Sequence, residues 1–161
     1  PCVDEDQMKT VLRYIEIGKK EGAKLLCGGN RLTGAGYDKG YFVEPAIFSE
    51  VTPEMTIAQE EIFGPVLAVM PVKDFDAAIQ IANNVKFGLS ASLITNQLNK
   101  VFSYINRIEA GLIIVNLPSA GVEYQLPFGG TKASSTGFRE QGSVAVDFYS
   151  ELRTVYLKHQ I

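Results

Sequence analysis

Between residues 66 and 116 the chain alternates between short strand-like runs and helix-period stretches, and this alternation constrains the fold more than any other feature. Residues 66–72 are apolar almost throughout. Asp74 stands where it can cap a helix over residues 75–85, whose Ala78, Ile79, Ala82 and Val85 share one face. Residues 89–95 read as a second strand. Leu98, Val101, Phe102, Ile105 and Ile108 then fall at helical spacing, and Gly111 leads into Leu112-Ile113-Ile114-Val115-Asn116. Strand, helix, strand, helix, strand with short connections predicts an α/β fold. Parallel neighbours need crossovers, and crossover helices cover the sheet, so the expectation is a mostly parallel, twisted sheet with helices on both faces.

The flanks are less regular. Val3-Asp4-Glu5-Asp6 opens a helix with acids at the positive end of its dipole. Met8, Val11, Leu12 and Ile15 continue it, and Lys19, Lys20 and Gly22 close it. Residues 23–27 read as a short strand ended by Gly28-Gly29. Residues 30–40 form a polar, glycine-rich turn region without the spacing of a phosphate-binding loop. Residues 41–48 form a strand in which Pro45 marks an edge or a bulge. Residues 117–142 break into Gly, Ser and Pro, and a loop of that length in a compact domain usually serves function. A short helix is expected within residues 141–148. Residues 151–157 alternate polar and apolar, the pattern of a half-exposed strand that can join another sheet.

Few side chains here suit nucleophilic or metal chemistry. Cys2 and Cys27 are the only cysteines and His159 the only histidine, so neither a disulfide framework, a metal-ligand pattern nor a Cys–His or Ser–His pair is expected. Cys27 follows Leu25-Leu26 and is expected to be a buried structural thiol. A net charge of −3 argues against a nucleic-acid or anionic-membrane partner. No apolar run approaches the ~20 residues that span a bilayer. A reducing, cytoplasmic compartment fits this cysteine usage. The chain opens on Pro1 rather than Met, which suggests a fragment or a processed product.

Two segments carry a specific resemblance: Glu60-Glu61-Ile62-Phe63-Gly64-Pro65 and Pro127-Phe128-Gly129-Gly130-Thr131-Lys132. Both resemble signature segments of the aldehyde dehydrogenase superfamily. The text around them agrees in order: Ala82-Asn83-Asn84, Phe87-Gly88-Leu89-Ser90-Ala91, Ala110-Gly111 with Val115-Asn116, then Gly137 with Arg139-Glu140. Phe138 and Ser134-Ser135 depart from the usual pattern. The resemblance covers essentially the whole chain.

Membership would imply a cysteine thiolate that attacks the aldehyde to give a thiohemiacetal, hydride transfer to the nicotinamide of NAD or NADP, and hydrolysis by water that a glutamate activates. Nothing in the chain resembles the family's nucleophile segment, its base or its dinucleotide-binding half. No catalytic residue is therefore assigned, Cys2 is rejected as the nucleophile, and the chain alone is expected to be inactive. The resemblance implies that Glu61 accepts hydrogen bonds from the nicotinamide ribose and that Phe63 packs against the nicotinamide. Read from the residues alone, Glu60-Glu61 is equally a solvated acidic pair, and Phe63 a core residue. The loop over residues 117–130 corresponds to a wall of the substrate tunnel. Its Ala120-Gly121-Val122 replaces the aromatic residue of many members and looks most like the branch that oxidises 2-oxoglutarate semialdehyde (2,5-dioxopentanoate). Ser119, Gly121, Val122 and Phe128 are the substrate-side candidates; the alternatives are a space-filling loop and a core role for Phe128. Residues 1–149 then belong to the C-terminal part of the catalytic domain, and residues 150–161 to an oligomerisation strand of a homodimer or homotetramer. The competing reading is a truncated, non-catalytic paralogue that binds or scaffolds.

Overall fold

The computed structural model describes residues 1–121 and 123–159. The chain divides into two compact units, Pro1–Asn84 and Val85–Ile161.

The first unit is organised by α1 (Glu5–Lys20). Asp4 caps it by accepting from the Gln7 backbone N–H at 2.8 Å, with Glu5 and Asp6 in the first turn and Lys19 and Lys20 in the last. The helix ends because Gly22 takes a left-handed conformation, φ 98°, which glycine adopts without steric cost. Its buried face (Met8, Val11, Tyr14, Ile15) meets a three-stranded sheet. In that sheet β1 (Lys24–Cys27) runs antiparallel to β2 (Ala46–Ser49), and β2 runs parallel to β3 (Val66–Ala68). Phe48, Ile15 and Val11 are the largest fully buried side chains, and burying each contributes about 1.5–3 kcal/mol. α2 (Thr56–Gln59) adds Ile57 to this core. α3 (Phe75–Asn83) is capped by Asp74, which accepts from the Ala77 N–H at 2.8 Å.

The strand expected over residues 41–48 is shorter than its sequence pattern. Tyr41 and Val43 make only isolated bridges, to Cys2 and Arg31, before the ladder begins at Ala46. Pro45 has no N–H to give, and its carbonyl lies against Gly28, where a Cβ would come within 1.8 Å. Cys27 also departs from expectation: it is exposed, not buried. β1 pairs on one side only, and its register shifts between Leu25 and Cys27. The apolar run therefore does not turn Cys27 inward, and Leu26 is exposed as well.

The second unit holds a parallel pair, β5 (Ser90–Leu93) with β6 (Leu112–Val115), joined through α4 (Leu98–Arg107). A shorter antiparallel pair joins β4 (Phe87–Gly88) to β7 (Thr131–Lys132). α5 (Ala145–Tyr149) is the expected short helix, starting later than the sequence suggested. α4 carries a wide apolar arc of which only part is covered. Tyr104 and Ile108 are buried, while Leu98, Phe102 and Ile105 are exposed. The α/β reading holds, and its parallel strands occur as two separate pairs, β2/β3 and β5/β6.

The alternation at residues 151–157 forms no strand in this chain. Residues 150–159 carry no regular structure, and Leu152, Val155, Tyr156 and Leu157 are exposed. A strand is a paired object, and no described strand edge accepts this one.

Candidate functional site

In the first unit the segment Glu60-Glu61-Ile62-Phe63-Gly64-Pro65 links α2 to β3. Its alternate residues are tied down. The Tyr14 hydroxyl donates to Glu60 Oε2 at 2.7 Å, and Ile62 is buried in the core. That hydrogen bond, with burial, pushes the Tyr14 phenol above its ordinary value. Gly64 lies against Val11, where a Cβ would approach Val11 Cγ2 to 2.3 Å. The residues between these anchors face out. Glu61 is exposed, and Phe63 is 79% exposed. Phe63 also has a left-handed backbone, φ 55°, a conformation that costs a bulky residue about 1–2 kcal/mol. An exposed aromatic side chain on a strained backbone points to a functional demand rather than a packing one. The core alternative for Phe63 is thus not what the first unit shows. Glu60, read from the sequence as one of a solvated acidic pair, is the anchored carboxylate.

Glu61 presents an exposed carboxylate, an acceptor of hydrogen bonds, two residues from an exposed ring. This is the chemistry a diol and a flat heterocycle would require of a site.

In the second unit the loop over residues 117–130 is fastened at both ends. The Asn116 side chain grips Thr95 twice: its Nδ2 donates to the Thr95 carbonyl at 2.9 Å, and its Oδ1 accepts from the Thr95 N–H at 2.8 Å. Ser92 Oγ donates to the Leu117 carbonyl at 2.6 Å. At the far end Phe128 exchanges backbone hydrogen bonds with Glu140, at 2.7 and 3.0 Å. Gly129 and Gly130 are buried: a Cβ on Gly129 would lie 2.9 Å from the Phe138 carbonyl oxygen, and one on Gly130 2.6 Å from Ser134 Cβ. Both glycines, and Gly111 beside Gly129, are therefore packing requirements. Arg139 donates to the Gly130 carbonyl at 2.9 Å and holds this turn, instead of pairing with its neighbour Glu140.

Between those fastenings the candidate residues are presented, not packed. Ser119 and Gly121 are exposed, Gly121 at φ 102°, and Phe128 is half-buried. Val122 lies outside the described residues. Among the described residues no group of three His, Cys, Asp or Glu could hold a metal ion, and no helix is long and apolar enough to cross a membrane. Tyr14, Asn116 and Arg139 are the supporting residues here. Resemblance picks out Asn116 and Arg139 within its ordered segments, and Tyr14 not at all.

The comparisons with known proteins agree with one another. The family model for the aldehyde dehydrogenase family matches residues 1–155. An alpha-ketoglutaric semialdehyde dehydrogenase of Bacillus subtilis is 53% identical over 98% of the chain, and a 2,5-dioxopentanoate dehydrogenase of Saccharolobus solfataricus is 48% identical over 97%. The chain spans about a third of their length, 32% of each. Among solved structures, the NAD+ complex of an aldehyde dehydrogenase from Bacillus cereus is similar with a TM-score of 0.90 and 41% identity, over 99% of this chain and 31% of that one.

Proposed function

The chain belongs to the aldehyde dehydrogenase family, and from that premise we propose that it is the C-terminal portion of an NAD(P)-dependent enzyme that oxidises a carboxylate-bearing semialdehyde, such as 2-oxoglutarate semialdehyde, to the acid. The observation that carries this reading is the outward pair Glu61 and Phe63 on an otherwise anchored segment. Glu61 would accept hydrogen bonds from the hydroxyls of the nicotinamide ribose. A carboxylate suits a vicinal diol because its two oxygens can take both at once. Phe63 would pack against the nicotinamide and help to set its pose. The coenzyme, when bound, supplies the hydride acceptor; the residues of this chain supply orientation. Orientation matters because a reacting carbon held in reach converts a chance encounter into an effectively unimolecular step.

The loop over residues 117–128 forms the substrate side. The small side chains of Ala120 and Gly121 leave room for a polar substrate, Ser119 donates to its carboxylate, and Phe128 closes the inner end; Val122 is the further candidate of this loop. Nucleophile and base come from the rest of the enzyme. Residues 150–161 pair as a strand with a sheet of a neighbouring subunit in a homodimer or homotetramer, in which their exposed apolar side chains are covered. The substrate similarity of the Bacillus subtilis and Saccharolobus solfataricus relatives supports the semialdehyde assignment. The test is NAD(P)H formation by the full-length enzyme with 2-oxoglutarate semialdehyde and with a simple aliphatic aldehyde of the same length. A kcat/KM at least about tenfold higher for the semialdehyde is expected, because an unpaired polar group in the pocket penalises the apolar analogue. Equal values would exclude the carboxylate-binding role of the loop.

A further inference from the structure

Gln7 is the third residue of α1, the position at which a glutamine commonly folds back on the cap residue. Here its carboxamide goes elsewhere. Nε2 donates to the Ile62 carbonyl at 3.0 Å and to the Phe63 carbonyl at 2.9 Å. A side-chain amide nitrogen has two hydrogens, so one group can satisfy both acceptors. Successive carbonyls of extended backbone point to opposite sides and cannot share a donor. Here, with Phe63 at φ 55°, both carbonyls reach the same donor. Gln7 thus binds the kinked form of the segment and not the extended one.

The rest of the helix face is consistent with that task. Gln7, Val11 and Tyr14 lie four and three residues apart, on one side of α1. Val11 fills the space against Gly64, and Tyr14 holds Glu60. We propose that Gln7 is a positioning residue of the oxidation reaction: its carboxamide stabilises the left-handed turn at Phe63 and so sets the directions in which Glu61 and Phe63 meet the coenzyme. This rests on the reading of Glu61 and Phe63 as the coenzyme-side pair.

The variant Gln7→Glu separates this role from helix stability. It is nearly the same size, and an acid in the first turn favours the helix dipole. It cannot donate, and it sets a carboxylate against two carbonyl oxygens. The full-length enzyme is measured in two ways: backbone amide exchange across residues 60–66, and steady-state kinetics with NAD+ and aldehyde varied separately. Loss of both hydrogen bonds is expected to speed exchange in that segment about tenfold, with the rest of α1 unchanged. It should also raise the KM for NAD+ several-fold while leaving the KM for aldehyde unmoved. In a Phe63→Gly background, where the left-handed turn carries no steric cost, Gln7→Glu should change exchange much less. Unchanged exchange in Gln7→Glu would overturn the positioning role, whatever the segment binds. Faster exchange with unaltered NAD+ kinetics would instead sink the coenzyme reading of Glu61 and Phe63, and the positioning role with it.

Discussion

The two surfaces that carry candidate residues are built by opposite means. The Glu60–Pro65 segment is anchored at every second position by its own unit, through Tyr14, the core around Ile62 and the Gly64–Val11 contact. The loop over residues 117–128 is fastened at its ends, by Asn116 and Ser92 before it and by the Phe128–Glu140 bridge after it, with Gly142 lying against Gln125 and Leu126 near the second end. One surface has its geometry fixed by contacts within the chain. The other has its stem fixed and its tip open to whatever surrounds it. The difference suits their proposed tasks: a coenzyme is common to a whole family and rewards a fixed pose, whereas a substrate wall varies from one branch to the next.

The largest expected effect concerns what both surfaces lack. Neither brings a nucleophile and a base together, so the chain by itself is predicted to form no NADH from any aldehyde at any pH. Measurable turnover by the pure chain would erase the distinction between orienting and reacting groups. Cys2→Ser and Cys27→Ser would then identify the thiol responsible.

Next in size is a pair of glycine substitutions. Gly64→Ala drives a methyl group into the fully buried Val11, and overpacking of this kind costs about 1–3 kcal/mol. Gly121→Ala meets nothing within 4 Å, so its cost is the backbone strain at φ 102° alone, about 1 kcal/mol. Urea unfolding of the two variants measures the contrast directly. Equal costs would mean that the anchored segment yields as easily as the open loop.

A smaller effect follows from the Tyr14–Glu60 hydrogen bond. Because the folded state raises the phenol's pKa above its ordinary 10.0, first through the bond to Glu60 and then through burial, the neutral phenol is the form that folding favours. The sign follows: the stabilisation is fully present below pH 10 and is lost as pH climbs through the raised value. Wild-type stability should therefore fall more steeply than that of Tyr14→Phe above that pH. Parallel profiles for the two proteins would remove Tyr14 as an anchor of the segment.

Much of the frame was legible because it is written locally. Asp4 and Asp74 cap helices by contacts three residues away, and the period of α4 and the apolar run of β6 need no distant partner to be read. The two-residue strands β4 and β7 were not legible, since each exists only through pairing with the other. Cys27 was misread for a related reason: an apolar run says that a strand forms, not which of its faces a neighbour covers. The terminal alternation of residues 151–157 shows the same limit. For the candidate site, resemblance proposed Glu61 and Phe63, but the left-handed turn at Phe63 has no signal in a residue that ordinarily avoids it. The polar tips of Gln7 and Tyr14 on the core-facing side of α1 were the available clue to the anchors.

The central claim is that Glu61 holds the coenzyme for hydride transfer and takes no part in holding the aldehyde. It is tested most directly by single-turnover hydride transfer in the full-length enzyme carrying Glu61→Gln. Loss of a charge-assisted acceptor, worth on the order of 1.5–3 kcal/mol, should slow NADH appearance by roughly ten- to a hundredfold, with aldehyde binding unchanged. A wild-type hydride rate in that variant would contradict the account.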